Sequence, residues 1–596
     1  MKYPFLSELN TTRELIDVFR GYNHNLRIGD GEFYEMTNLS SNDYPILSPR
    51  PLRGIYATPS APQGMIAKDA LCYVDGGDFF INEKRIPMGL TIDDAPKTLI
   101  SMGAYVIIMP DKQYINTANI NDHDYIEKYV LTTGTVTFSL CQADGNAYSD
   151  VAIQDTEPES PKNFDYWLDT SSVPNGLKQY SSTSKMWVSI ATTYIKIAAT
   201  GIGEPFNEGD GVTISGVTDA ALSDLNNTMI IQAKGDNYIV VKGIINKVIT
   251  QDTPVCVSRW MPDFDFLIES ENRLWGCKYG VVYMGKVYDT VKGEVRNNYS
   301  SEPVNEIYAS KLGDFKNWNC FMDISTDSYS VTVGTDGQFT GAVTHLGYPL
   351  FFKENCMHKI YGNYPANYQV LTTACRGVQK GCSRSLAIVN EKLYYKARSG
   401  VCSYDGSLPV EVSAALGDVA YGDAVAGSIG NKYYISMKDN GGKFHLFVYD
   451  TAKGMWHRED DTEAVQFCNC RGDLYYIDRD YNQIKTVKGT TDVKEGKTIK
   501  WEAVTGLIGT SSPDKKYISR LDVRMSLTYG ARVFFFIQYD SSGEWEQLFS
   551  KVGTSLQSFP VPIKPRRCDH LRLKIMGEGD AKIFSICKTI EQGSDN

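Results

Sequence analysis

The chain has 596 residues, which is too many for one hydrophobic core and predicts roughly three to five domains, or fewer if one is a large repeat structure. Its 38 Tyr, 24 Phe and 51 Gly favour a mainly β protein whose short strands are separated by tight turns. A formal net charge of −11 argues against a surface that grips nucleic acid by neutralising phosphates, although an acidic wall suits DNA that slides past without sticking.

Residues 1–60 are predicted to form a helix followed by a stiff arm. The run from Thr11 to Glu14 reads as a capping box, which predicts a short helix through Phe19. The arm, Asn38–Gly54, reads NLSSNDYPILSPRPLRG and contains three prolines. Because proline restricts φ and has no backbone N–H, this segment is predicted to be a rigid, extended strap.

A repeat of about forty residues occupies the later part of the chain. Successive copies start 43, 40 and 41 residues apart. The four copies that align best are PLFF at Pro349–Phe352, KLYY at Lys392–Tyr395, KYYI at Lys432–Ile435 and DLYY at Asp473–Tyr476. Aromatic strands and turns at this period are typical of β-propeller blades, and weaker copies such as ALCY at Ala70–Tyr73 raise the prediction to about seven blades.

The predicted blades fall in two stretches, residues 61–184 and residues 263–490. The polar segment Asp169–Lys185 is rich in Ser, Pro and Gly and is predicted to be a linker. Residues 185–262 then form an inserted β-rich or α+β domain with a short helix at Asp219–Asn226. After Gly489, longer alternating strands predict a C-terminal β-sandwich in residues 491–596, with its strands between Lys497 and Lys588.

Catalytic and targeting signatures are missing from the sequence. It has no GxSxG, HExxH, P-loop or Rossmann motif, and its seven histidines are isolated from one another. We therefore predict no enzyme, no cofactor and no metal. No run of about 18 apolar residues occurs, so we also expect no membrane insertion and folding in a cytoplasm. The 13 cysteines include no CxxC pair and are expected to be free thiols.

Three stretches carry a family resemblance. GDGEFYEMTNLSSNDYPILSPRPLRG at Gly29–Gly54, FDFLIESENRLWGCKYG at Phe264–Gly280 and NEIYASKLGDFKNWN at Asn305–Asn319 resemble the tail stabilisation, or nozzle, proteins of tailed bacteriophages. The resemblance covers roughly Gly29–Gly489. It implies a structural virion protein of the phage tail, assembled in the host cytoplasm as a ring below the portal and adaptor. It further implies a homo-oligomer, a hexamer, through which genomic DNA passes on ejection without specific binding.

The same resemblance draws attention to the arm. The candidate subunit-contact residues are Tyr44, Pro45, Pro49, Arg50, Pro51 and Arg53. Arg50 and Arg53 are expected to pair with acidic groups across a contact, which is either with a neighbouring subunit or with the chain's own first blade.

Two other functions remain open from the sequence. One is a carbohydrate-binding or glycan-cleaving propeller, which needs two suitably spaced carboxylates for cleavage. The turn from Asp450 to Trp456 resembles Asp-containing turns of sugar-cleaving propellers, but such turns stabilise blades rather than catalyse. The other is a receptor-binding tail module carried by the C-terminal sandwich.

Overall fold

Antiparallel strands make up nearly all the regular structure. The computed structural model describes residues 11–489, 498–511 and 513–592. Within them the chain divides into two compact units, here called unit 1 (residues 1–97, 352–357 and 373–596) and unit 2 (residues 98–351 and 358–372). No helix of the described residues is long and apolar enough to cross a membrane. A mainly β chain was predicted, and this is confirmed.

Unit 1 contains one large sheet of twelve strands. Eleven of them lie in the order Thr11–Ile16, Ala581–Gln592, Lys516–Tyr539, Leu571–Glu578, Lys500–Thr505, Glu32–Thr37, Gly21–Tyr22, Met455–Arg458, Phe444–Asp450, Lys432–Asp439 and Tyr421–Ile429, and Glu546–Val561 pairs with Lys516–Tyr539. The long strand Lys516–Tyr539 pairs with Ala581–Gln592 along its first half and with Leu571–Glu578 along its second half. Its register with Glu546–Val561 shifts at bulges between Met525 and Arg532, close to the point where its other neighbour changes from Ala581–Gln592 to Leu571–Glu578.

Three four-stranded sheets complete unit 1, together with a short strand pair. The first sheet contains Pro62–Ala67, Leu71–Asp75, Asp78–Ile81 and Lys84–Ile86; the second contains Ala387–Val389, Lys392–Ala397, Gly400–Tyr404 and Val410–Glu411; the third contains Ala464–Cys470, Asp473–Asp478, Gln483–Thr486 and Gly54–Ala57. The pair is Leu39–Ser40 with Ser48–Pro49, and the 3-10 helices are Ser383–Ser385 and Ala414–Leu416. In these sheets consecutive strands pair antiparallel, which is the meander expected of a propeller blade.

Unit 2 contains two further meanders. They are formed by Thr98–Met102, Tyr105–Met109, Gln113–Asn116 and His123–Tyr125, and by Phe266–Ser270, Arg273–Gly280, Val304–Ala309 and Tyr329–Thr332. A hairpin of Tyr283–Asp289 and Glu294–Tyr299 leaves the second meander between its middle strands. The strand Gly341–His345 and a 3-10 helix at Pro365–Asn367 belong to unit 2, and the chain passes between the units within the strands Tyr348–Lys353, Cys356–Tyr361 and Gln369–Ala374.

Three more sheets of unit 2 lie between the two meanders in sequence. Their strands, in sheet order, are Lys128–Leu131, Cys256–Arg259, Gly211–Ser215 and Thr228–Ile230; Ala233–Gly235, Tyr238–Lys242, Tyr194–Ala198, Val136–Cys141 and Ile249–Gln251; and Val151–Gln154, Tyr166–Asp169, Gly176–Ser181 and Met186–Ser189. Hydrophobic side chains from the first two sheets, including Phe138, Ile197, Val212 and Val257, share one buried core. A 3-10 helix, Ala220–Leu225, is capped by the Asp219 carboxylate and confirms the predicted short helix there.

Two boundary predictions are wrong. The predicted linker Asp169–Lys185 contains the strand Gly176–Ser181, in which the buried Leu177 lies opposite the buried Leu168. The predicted start of the insertion at residue 185 is also wrong, since Lys128–Leu131 already pairs with Cys256–Arg259. The inserted sheets therefore begin about sixty residues earlier than the polar composition indicates.

The predicted N-terminal helix is wrong over the residues that are described. Thr11–Ile16 is a strand that pairs antiparallel with the C-terminal strand, from Thr11 opposite Glu591 to Ile16 opposite Ile586. Two β-branched threonines and the buried Ile16 suit a strand edge, and the partner strand satisfies the backbone groups that a capping box would have bonded. The remainder of the predicted segment, residues 1–10, and the predicted domain boundary at 490/491 lie outside the described residues.

Candidate functional site: the proline-rich arm

The arm folds back on itself rather than lying as one extended strap. Leu39–Ser40 pairs with Ser48–Pro49, and the N–H of Arg50 donates to the carbonyl of Asn38 at 2.9 Å. Residues 41–46 form the tight loop between these strands, with the N–H of Tyr44 donating to the Ser41 carbonyl at 3.1 Å. The prediction of a single extended strap is therefore wrong, because the polar residues between the prolines make local turns.

Two arginines of the arm are buried against a pair of adjacent carboxylates. Arg53 lies 2.6 Å from Asp460 and 2.8 Å from Glu459, and Arg50 lies 3.5 Å and 3.7 Å from the same two residues. All four side chains are less than a tenth exposed. We call these four residues the arm clamp.

Neighbouring polar groups add hydrogen bonds to the arm clamp. Arg53 Nη1 donates to Thr462 Oγ1 at 2.7 Å, and Arg50 Nε donates to Asn38 Oδ1 at 2.8 Å. Burial opposes the charge of Arg53, but the carboxylates of Asp460 and Glu459 outweigh it and raise the pKa of the guanidinium well above its ordinary value. The arm clamp is therefore a permanently charged, almost water-free contact between segments about 400 residues apart in sequence.

The residues that follow the arm clamp in sequence form a strand of a sheet. Immediately after Arg53, strand Gly54–Ala57 pairs antiparallel with Gln483–Thr486 and forms the fourth strand of the sheet of residues 464–486. A Cβ on Gly489 would lie 2.1 Å from the Gly54 nitrogen, so the two backbones can approach this closely only because a glycine is present. The sheet thus joins an early strand of the chain to three strands from the end of the repeat region.

The loop of the arm makes a second set of contacts. Ser41 Oγ donates to Asp450 Oδ2 at 2.5 Å, and Lys453 Nζ lies 3.1 Å from the same carboxylate. Asp43 pairs with Lys582 at 2.8 Å. Asp450 therefore ties the arm to the turn in which it sits, which agrees with the structural role expected of that turn.

The structure separates the six predicted contact residues into two groups. Tyr44, Pro45 and Pro51 are exposed and Pro49 is half-buried, whereas the two arginines are buried in the arm clamp. For Arg50 and Arg53 the contact is within the chain, but its partners are Glu459 and Asp460 and not residues of the first predicted blade. A subunit contact through the exposed loop around Tyr44 stays a prediction.

Sequence reasoning missed the acidic half of the clamp. The dipeptide Glu459-Asp460 follows strand Met455–Arg458, and nothing in its local pattern distinguishes it from an ordinary charged strand end. These carboxylates are unsuited to glycoside hydrolysis because both are buried and bound to guanidinium groups. In the described part of the chain, no group of three or more His, Cys, Asp or Glu side chains is arranged to hold a metal ion.

Comparisons with known proteins give only distant likenesses. No protein-family model matches the chain, and no curated protein matches it. An exo-β-1,3-galactanase from Phanerochaete chrysosporium, with 9% identity, spans 52% of this chain and 95% of its own length at a TM-score of 0.19. A GH43 glycoside hydrolase with an engineered active site, also 9% identical, spans 55% of this chain and 96% of its own at a TM-score of 0.20. The phage phi92 endosialidase, 10% identical, spans 78% and 63% at a TM-score of 0.19. Likenesses this low carry no argument about what the chain does.

Proposed function

We propose that this chain is a non-enzymatic structural protein of a bacteriophage tail, which forms a closed ring around the path of the DNA. The proposal rests on the sequence resemblance of Gly29–Gly54, Phe264–Gly280 and Asn305–Asn319 to nozzle proteins. It also rests on a net charge of −11, because an acidic ring repels the phosphate backbone and lets DNA pass without being held.

In this proposal the repeated sheets are the blades of a seven-bladed propeller. Six candidate blades are the five four-stranded meanders described above and the four strands within residues 421–458; the strands of residues 341–374 supply the seventh. The observation that carries the proposal is the pairing of Gly54–Ala57 with Gln483–Thr486. A sheet built from both ends of a repeat array leaves no free end to unravel, which is what a mechanically loaded scaffold requires.

The subunit contact is assigned to the exposed loop of the arm. Tyr44 is 42% exposed at the tip of a loop whose base is held by the buried arm clamp. A rigid, pre-organised loop loses little conformational entropy when it docks, and a head-to-tail contact repeated around an axis closes into a ring. In a hexamer this contact would occur six times.

Electron microscopy of the purified chain and mass photometry test the proposal. We expect ring-shaped particles of six copies, and we expect Tyr44→Ala to shift the protein toward monomers at the same concentration. The matched control is Tyr481→Ala, since Tyr481 is 41% exposed and lies outside the arm. Monomers at micromolar concentration, together with absence of the chain from purified virions by mass spectrometry, would overturn the proposal.

A further inference from the structure

A cleft of about 360 Å³ opens in unit 2, away from the arm. It lies where strand Lys128–Leu131, strand Cys256–Arg259 and the hairpin that begins at Tyr283 come together. Four aromatic residues line it: Tyr125, Tyr129, Trp260 and Tyr283. Four cations and two carboxylates complete the lining.

A β-bulge builds one wall of this cleft. The register of the hairpin shifts between Tyr283 and Lys286. On a regular strand two side chains three residues apart point to opposite faces, so the bulge is what brings both of these side chains to the cleft. Gly285 within the bulge has φ of +88°, and a Cβ there would lie 2.6 Å from Trp260 Cδ1. The glycine therefore lets the hairpin pack directly on the indole ring.

The cations of the cleft are not equivalent. Three are paired with carboxylates at 2.6–2.7 Å, namely Lys112 with Glu127, Lys128 with Asp124 and Arg259 with Asp210. Lys286 differs, because its ammonium lies 3.9 Å from the centre of the Tyr129 ring and makes no carboxylate pair within the fully described unit 2. Its backbone is fixed by the Ser258 hydroxyl, which donates to the Lys286 carbonyl at 2.9 Å. A positioned cation without a carboxylate partner favours an anionic ligand.

The aromatic rings indicate a second property of the ligand. Tyr129 is 48% exposed and Tyr125 is 37% exposed, whereas Trp260 is buried beneath the hairpin. Exposed phenol rings in a cleft with a few placed polar groups suit a ligand that has both an apolar face and hydroxyl groups. We propose that this cleft binds a carboxylate-bearing oligosaccharide, with a sugar ring packed on Tyr125 and Tyr129 and the carboxylate on Lys286. This function goes beyond the ring-forming role and does not depend on it.

Isothermal titration calorimetry with the full chain tests the assignment. The acidic probes are trigalacturonate and sialyllactose, and their neutral counterparts are maltotriose and lactose. We expect at least one acidic probe to bind about tenfold or more tightly than its neutral counterpart. Lys286→Gln should remove that preference, and Tyr129→Ala should weaken binding about tenfold.

Matched variants elsewhere in unit 2 act as controls. Lys292→Gln removes an exposed lysine on the turn of the same hairpin, and Phe321→Ala removes a ring that is 56% exposed. Both should leave binding unchanged. Equal affinity for acidic and neutral probes, no binding of any probe at millimolar concentration, or unchanged binding in Lys286→Gln would overturn the inference. Because Lys286 is partly exposed, its replacement keeps the test decisive even if Tyr129→Ala fails to fold.

Discussion

Replacing Arg53 should destabilise unit 1 strongly. Arg53→Met leaves Glu459 and Asp460 buried, while Arg50 lies 3.5 Å or more from both and compensates only part of their charge. Removing one partner of a buried ion pair typically raises the free energy of the folded state by about 3–5 kcal/mol. That corresponds to a factor of about a hundred to several thousand in the unfolding equilibrium. Urea unfolding followed by tryptophan fluorescence and far-ultraviolet circular dichroism measures the change.

An exposed pair of the same chemistry supplies the control. Arg85 lies 2.7 Å from Asp78, almost the distance between Arg53 and Glu459, but its side chain is 64% exposed. Arg85→Met should therefore leave the urea midpoint nearly unchanged, because water replaces the lost partner. Combining Arg53→Met with Asp460→Asn should recover part of the lost stability, since the charges of Arg50 and Glu459 that remain in the clamp then balance. Equal midpoints for the Arg53 and Arg85 variants would refute the reasoning.

Two further predictions concern other sites of unit 1. Burial, reinforced by Lys432, lowers the pKa of His457 to about 3, so as the pH falls from about 6.5 only the unfolded chain takes up this proton. Through this group, the free energy of unfolding therefore falls by about 1.4 kcal/mol for each pH unit between about 6.5 and about 3. His457→Gln should show a shallower acid dependence of the urea midpoint, and equal slopes would contradict the assignment. A Cβ on Gly577 would lie 2.0 Å from the indole of Trp501 on the paired strand, so Gly577→Ala should lower the free energy of unfolding by about 1–3 kcal/mol. Gly422→Ala, whose nearest contact would be at 3.6 Å, should leave the midpoint unchanged, and equal shifts in the two variants would count against the packing argument.

Local pattern was sufficient to predict the repeated strands. The segments KLYY, KYYI and DLYY lie in the strands Lys392–Ala397, Lys432–Asp439 and Asp473–Asp478, each followed by the antiparallel partner that its turn predicts. Alternating aromatic and aliphatic residues bounded by Gly, Asn and Asp specify such hairpins locally, so no information about distant partners is needed. The capped turn at Ala220–Leu225 was predictable for the same reason.

Pairings between distant segments were not predictable from local pattern. Thr11–Ile16 has the spacing of a capping box, yet Ala581–Gln592 supplies a complete ladder of partners and the strand prevails. The acidic half of the arm clamp follows the same logic, because Glu459 and Asp460 resemble any charged strand end until Arg50 and Arg53 are placed beside them. The cleft of unit 2 depends on a bulge, which has no strong sequence signal beyond a glycine.

The charges of the arm clamp fix the position of the arm in a way that an apolar contact would not. An apolar patch would hold the arm about as firmly, but it would tolerate a shift of one or two residues along Glu459 and Asp460. The two guanidinium groups, three residues apart around Pro51, match two adjacent carboxylates in only one position, and any shift would bury an unpaired charge. We infer that the clamp sets the register of Gly54–Ala57 against Gln483–Thr486, where a slip of one residue would turn every side chain to the wrong face. The pairing of these two strands therefore depends on the positions of the charges in the arm clamp more than on the strength of their attraction.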